Sequence, residues 1–295
     1  MRPIIASKIP LSNPFDRDYY ERMKSQAHFL TLCCVVLLVG CAVQNNTPST
    51  STPTLGPAEN WQIEQGTSIT VPPAGAFLLT GALQTQGSQI TGIFGGTPLC
   101  GTPQVLSFSG TIDSAGNLTL APKPPYFYVQ LAVPANPTTV STGTMAVTGQ
   151  FCALASAPAP AVGVEIASLT GNFSGQVNMV ENPIVPLGMV ANVSLALTQS
   201  NTPNASAQFP LTGSITYTNS PCSETIPVTG TVSGVGITVA SASAPVSGQN
   251  YVSFTGSTNP TATQLTASNI LFEPIPCSTG ASTSTISFTG TVNRQ

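Results

Sequence analysis

The sequence predicts an all-β protein made of two similar antiparallel units, each a small barrel or a sandwich. Three observations carry this. From residue 59 onward, apolar runs of five to ten residues alternate with clusters of Gly, Pro, Asn and Ser, and none sustains the 3.6-residue period of a helix. A large apolar residue followed by Thr-Gly recurs along the chain. Finally, a stretch of the first half reappears in the second. Composition agrees. Only 6% of the 295 residues are charged, while 26 Gly and 27 Pro suit turns and bends and oppose a helical bundle.

In chain order, residues 1–22 carry seven charges, and residues 29–43, FLTLCCVVLLVGCAV, are uncharged and mostly apolar. Fifteen residues are too few to cross a bilayer as a helix, and the run reads as the apolar core of a signal peptide preceded by Lys24. Its end, Leu38-Val39-Gly40-Cys41, resembles the lipobox of bacterial lipoproteins. That resemblance covers residues 23–41 and implies cleavage before Cys41, a diacylglycerol on its sulfur, and export to the cell envelope with a lipid anchor in the membrane. In a Gram-negative cell, Ala42 and Val43 after the Cys imply outer-membrane sorting. Initiation at Met23 leaves a compact signal with no surplus residues. The expected organisation is a signal peptide over 1–40, a Pro/Ser/Thr-rich lipidated tether over 41–58, and β units over 59–170 and 171–295.

Candidate strands in the first unit lie near 76–84, 88–95, 104–112, 117–121, 126–133, 143–151 and 163–173. Those in the second lie near 188–198, 207–217, 225–232, 236–241, 250–256, 264–273 and 283–292. The Thr-Gly motif occupies Leu79-Thr80-Gly81, Ile90-Thr91-Gly92, Val147-Thr148-Gly149, Leu169-Thr170-Gly171, Leu211-Thr212-Gly213, Val228-Thr229-Gly230, Phe254-Thr255-Gly256 and Phe288-Thr289-Gly290. Gly inside a strand weakens it unless a bend or a close backbone approach requires it, so its repetition predicts strongly coiled sheets. Thr suits the outer face of a strand, and an array of such threonines is also a candidate contact surface.

The duplication aligns residues 109–120 with 229–239, and places Cys100 and Cys222 just before the two copies. Cys152 and Cys277 follow them at nearly equal separations. An exported chain meets an oxidising compartment, and four cysteines besides Cys41 allow three connectivities. Duplication favours one disulfide per unit, Cys100–Cys152 and Cys222–Cys277. The cysteine spacing is compatible with immunoglobulin domains, but no Trp follows Cys100 or Cys222 as that sandwich requires.

After cleavage before Cys41, two basic residues, Lys123 and Arg294, face seven acidic ones, a net charge of −5. The single histidine, His28, leaves with the signal, which removes Ser-His-Asp and Cys-His chemistry. The carboxylates are scattered singly, and no phosphate-binding loop or basic field is present, so no metal, cofactor or nucleic-acid partner is expected. A carboxylate-dependent hydrolase survives only if two distant acids meet in a cleft. The expected protein is non-catalytic: a structural or adhesive module whose partner is a glycan, a lipid or an envelope protein. The alternative is a barrel with an internal cavity for such a ligand. Weak candidates for contact are Tyr126 and Tyr128, which share one face of a strand around Phe127, and Trp61, which is placed to close one end of a unit.

Overall fold

The computed structural model describes residues 57–69, 77–97, 104–122, 127–132, 138–147, 158–181, 190–219, 221–241, 250–273, 276 and 285–295. Among them sixteen strands form two closed antiparallel barrels of eight strands each. The first comprises β1 (Glu59–Gln65), β2 (Leu78–Gln86), β3 (Gln89–Thr97), β4 (Gln104–Ile112), β5 (Asn117–Pro122), β6 (Phe127–Ala132), β7 (Ser141–Val147) and β8 (Ala159–Ile166). The second comprises β9 (Gly171–Glu181), β10 (Val190–Gln199), β11 (Phe209–Asn219), β12 (Cys222–Ser233), β13 (Gly236–Ala240), β14 (Tyr251–Thr258), β15 (Gln264–Glu273) and β16 (Ile286–Arg294). Each strand pairs with the next, and the β1–β8 and β16–β9 pairs close the two cylinders. The architecture is therefore barrel rather than sandwich, and closure leaves no exposed sheet edge among the described strands.

The recurrent motif explains how so narrow a sheet curls. In Leu211-Thr212-Gly213, Leu211 pairs with Gly230 and Gly213 with Leu197 and Val228, so Leu211 and Gly213 point inward and Thr212 outward. A Cβ built on Gly213 would stand 1.9 Å from the carbonyl oxygen of Ala196 on the neighbouring strand. The same approach occurs at Gly81, Gly110, Gly143, Gly230 and Gly256, where the nearest backbone oxygen would lie 1.8–2.2 Å away. These glycines are the points where adjacent strands pinch together. Large apolar residues at other inward positions fill the interior instead. Phe94 and Phe108 meet edge-on at 5.2 Å in the first barrel, and Tyr217, Phe272 and Phe288 form a cluster in the second. An eight-stranded barrel has an interior just wide enough for side chains to fill, and these residues fill it.

The duplicated segments occupy equivalent places, residues 109–120 on β4 and β5 and residues 229–239 on β12 and β13, the fourth and fifth strands of each barrel. Two strands differ from expectation. β1 had no candidate, because ENWQIEQ looks like a polar loop; it is buried on both faces. The candidate at 163–173 spans the end of β8, the linker 167–170 and the start of β9.

The barrels meet through the β12–β13 turn. Gly234 donates its N–H to Asn60 Oδ1 (2.9 Å), and its carbonyl accepts from Asn60 Nδ2 (3.0 Å). Val235 N–H donates to Gln62 Oε1 at 3.0 Å, and Ser233 Oγ to Thr80 Oγ1 at 2.7 Å. Gly234 has φ of +55°, and a Cβ there would lie 2.5 Å from Gln62 Oε1, so both the turn and the docking require glycine. Arg294 fastens the linker. Its guanidinium donates to the carbonyls of Ser168 (2.7 Å), Thr170 (3.0 Å) and Ala262 (2.7 Å) and covers the Phe173 ring at 5.0 Å. Leu169 of the linker is fully buried with the second core.

Replacing Gly213 by Ala should destabilise the protein by about 1–3 kcal/mol, because the added methyl overlaps Ala196 backbone that cannot move independently. Gly236→Ala, where a Cβ would meet only Ser233 O at 3.5 Å, should change stability by less than about 0.5 kcal/mol. Urea unfolding followed by near-UV circular dichroism measures both; equal effects would refute the pinch.

Candidate functional site

Two features stand out: the outer wall of the second barrel and the rim of the first. Because inward and outward positions alternate, the wall of β9–β12 carries mostly uncharged polar side chains, with Val180 and Val190 exposed at one end. Ser174, Ser194, Thr216 and Thr225 form one cross-strand row, and Gln176, Asn192, Thr218 and Ser223 the next. Hydroxyls bond along these rows, Thr216 Oγ1 to Thr225 Oγ1 at 2.8 Å and Thr218 Oγ1 to Ser223 Oγ at 3.4 Å. A shallow groove of about 390 Å³ runs over Ser174, Gln176, Asn192, Ser194 and Thr218. No carboxylate or ammonium belongs to either row, so the wall offers hydrogen bonds without a field.

The rim of the first barrel holds the carboxylates that the sequence leaves 106 residues apart. Glu165 on β8 pairs directly with Trp61 on β1, and Glu59 stands at the next position of β1 on that inward face. Both carboxyls are half-buried. Desolvation and the neighbouring Glu59 charge push Glu165 up to about 7. Burial also raises Glu59, partly offset by the Trp61 indole, whose N–H donates to Glu59 Oε2 at 3.5 Å. Two like charges in a poorly solvated rim do not both ionise freely, so the pair keeps a proton to higher pH than a free glutamate does. Deeper on the same wall, Ser141 of β7 pairs with Gly163, is fully buried, and its Oγ has no hydrogen-bond partner.

Of the residues singled out from sequence, Trp61 lies in the first core with its indole at this rim, 4% exposed. It is a packed wall residue rather than an open platform. Cys222 opens β12 and is disulfide-bonded. Tyr128 sits in β6 opposite Ala146. Cys41, Cys100, Cys152, Cys277 and Tyr126 lie outside the described residues, as do the signal segment 1–40 and the tether as far as residue 56. Sequence reasoning missed the Glu59–Glu165 pair, because only the β1–β8 closure brings these residues together and β1 itself was not expected. Among the described residues, no group of three or more His, Cys, Asp and Glu side chains is placed to hold a metal ion. No protein-family model matches the chain, and no curated protein matches it significantly.

The raised carboxyl has a definite pH consequence. The folded state holds the Glu165 proton more tightly than the unfolded chain, so this contribution is present below about pH 4.5 and is lost as pH rises through about 7. Its neighbours are Glu59, raised in the same direction, Trp61 and Ser141. Arg294, the one basic residue among those described, is spent on the linker carbonyls. Asp113, held low by Asn117, stays ionised across this window. Stability should therefore fall between pH 5 and 8, by about 1 kcal/mol after solvent screening of half-exposed groups, and Glu165→Gln should flatten the profile. Thermal melts of both proteins across that range test this; parallel profiles would exclude Glu165 as the source.

Proposed function

We propose that the protein is an exported lipoprotein of the bacterial envelope, anchored through Cys41, that acts without catalysis as a structural or adhesive module. The observation that carries this reading is the uncharged hydroxyl and amide wall of β9–β12, joined to a sequence that ends its apolar leader in Leu38-Val39-Gly40-Cys41. Such a wall suits many weak contacts to a polar, neutral partner, such as a glycan or an envelope protein. Those contacts change little with salt, because no charge steers them. A cavity inside a barrel for a lipid or glycan is the second reading. It is weakened by interiors filled with Phe94, Phe108, Phe173, Phe209, Phe254, Phe272 and Phe288. A hydrolase built on Glu59 and Glu165 is disfavoured, because the near-complete burial of Trp61 opposite Glu165 leaves little room for a sugar ring to stack there.

The same reading includes one disulfide within each barrel. In an up-and-down barrel, alternate connections leave the same end. β12 and β16 begin at the same end of the second barrel; Cys222 opens β12, and Cys277 lies in the sequence between β15 and β16. β4 and β8 are the equivalent strands of the first barrel, and Cys100 and Cys152 precede them in the sequence. A bridge closing a loop of about 50 residues contributes roughly 4 kcal/mol in the chain-entropy model.

Cells expressing Cys41→Ser should lose incorporation of labelled palmitate and release the protein into the detergent-poor phase; unchanged labelling would refute the anchor. Non-reducing peptide mapping of the exported protein should recover Cys100–Cys152 and Cys222–Cys277 peptides. A Cys100–Cys222 peptide would overturn the pairing.

A further inference from the structure

We propose that the cleft between the two barrels binds a neutral saccharide of one or two rings. A groove of about 440 Å³ opens where the β10–β11 loop, residues 200–208, overhangs the outer wall of β2, β3 and β4. Ala82 pairs with Ile93 and Ile93 with Ser107, so these three form one cross-strand row, with Thr91 in the next row of β3. Asn201 and Thr202 of the loop supply the opposite side of the groove. Its floor is the contact between the barrels: Ala82 is buried with the second core, and Ile93 packs against that core. The overhanging loop is braced. Asn204 Oδ1 accepts from the N–H groups of Ser206 (2.9 Å) and Gln208 (3.0 Å), and Ser200 Oγ accepts from the Thr202 N–H at 3.1 Å. The loop rests on β3, where a Cβ built on Gly95 would touch Ser206 O at 3.6 Å. Ala207 sits at φ +61°, a left-handed conformation rare for a residue with a side chain, and it is fully buried. Strained backbone of this kind persists where the surroundings over-determine it, and it gathers at ligand clamps. A wall ordered before binding spares the ligand the entropy of ordering it.

The lining selects the class of ligand by exclusion. No carboxylate, ammonium or guanidinium is among the described lining residues, so an ionised ligand would lose water there without gaining a counter-charge. An acyl chain would instead strip water from Thr91, Ser107, Asn201 and Thr202 and offer them no hydrogen bond. A pyranose meets both demands. Its C–H face would lie on Ala82 and Ile93, and its hydroxyls would reach the surrounding hydroxyls and the Asn201 amide. The groove lies toward the small end of ligand pockets, which run to about 300–1,000 Å³, and a junction between domains is a usual place for one. A sugar held there touches both barrels at once and so strengthens their joint. The site is separate from the wall of β9–β12 and does not rest on the adhesive role of that wall.

Saturation-transfer NMR and calorimetry on the detergent-solubilised full chain test this, with lactose, maltose, cellobiose and N,N′-diacetylchitobiose as neutral probes and glucuronic acid as the charged comparison. At least one neutral probe should bind saturably, with the same affinity at low and high salt, and should raise the melting temperature. Thr91→Ala and Asn201→Ala should each weaken that probe several-fold. Ser107→Trp, which fills the groove from an exposed position, should abolish its binding. All three positions are exposed, so the sugar-free variants should melt as the wild type does. Asn192→Ala, on the wall of β9–β12, should leave the affinity unchanged. Failure of every neutral probe to bind, tighter binding of glucuronic acid, or binding that Asn192→Ala abolishes and Ser107→Trp spares would overturn the proposal.

Discussion

Every other feature of this fold depends on closing eight short strands into a cylinder narrow enough to be filled. Closure forces neighbouring backbones together at regular points, and a side chain at those points would occupy the space of a carbonyl oxygen. Gly110 and Thr119, Gly213 and Ala196, and Gly230 and Thr238 are such meetings. Glycine in a strand normally costs stability through backbone entropy. Here the loss is offset because a closed barrel satisfies all its ladder hydrogen bonds and leaves no edge for another chain to join. The glycine at one inward position also lets its neighbour be large. Gly81 lies between Trp61 and Phe94, and Gly92 between Leu83 and Phe108. Pinch and packing are thus two results of the same residue choice.

That economy fixes what the outside looks like. With inward positions divided between glycine and large apolar groups, the residue between them faces water, and in this chain it is mostly threonine or serine. Cross-strand hydroxyl pairs follow from register alone, since Thr212 must face Thr229 once Leu211 faces Gly230. The wall is polar and hydrogen-bonded without any charge. It needs no ion pairs for solubility, because hydroxyls and amides are hydrated by themselves.

The all-β organisation in two similar units was legible in the sequence because its signals are local, whereas the choice of barrel over sandwich was not, because it is set by the β1–β8 and β16–β9 closures. The Thr-Gly motif is read within three residues, and the copy of residues 109–120 at 229–239 falls on the same two strands of each barrel. β1 was not legible. Its Asn60, Gln62 and Glu64 look solvent-facing but are buried, Asn60 and Gln62 because the β12–β13 turn of the other barrel docks on them, an arrangement set by residues more than 170 positions away. The candidate strand at 163–173 failed for a related reason. Leu169 is apolar not because it lies in a strand but because the linker plugs it into the second core. The Glu59–Glu165 pair depended on both omissions at once, since it exists only where an unexpected strand closes on the strand before the linker.

The placement of charge completes the physical picture. An ordinary soluble protein keeps its charges on the surface and its hydroxyls at turns and caps. In the described part of this chain, several of the few charges have been withdrawn into structural positions. Glu59 and Glu165 line a rim, Glu64 is 1% exposed at the outer face of β1, and Arg294 is committed to the joint. Glu224 sits on the inward register of β12 and accepts from Asn250, while Asp113 organises the β4–β5 turn by accepting from Ala115 and Asn117. What remains on the wall of β9–β12 is a surface whose contacts are set by hydrogen-bond geometry and shape. A partner meeting such a wall would do so without charge steering, and its binding would depend on the number of contacts rather than on ionic strength.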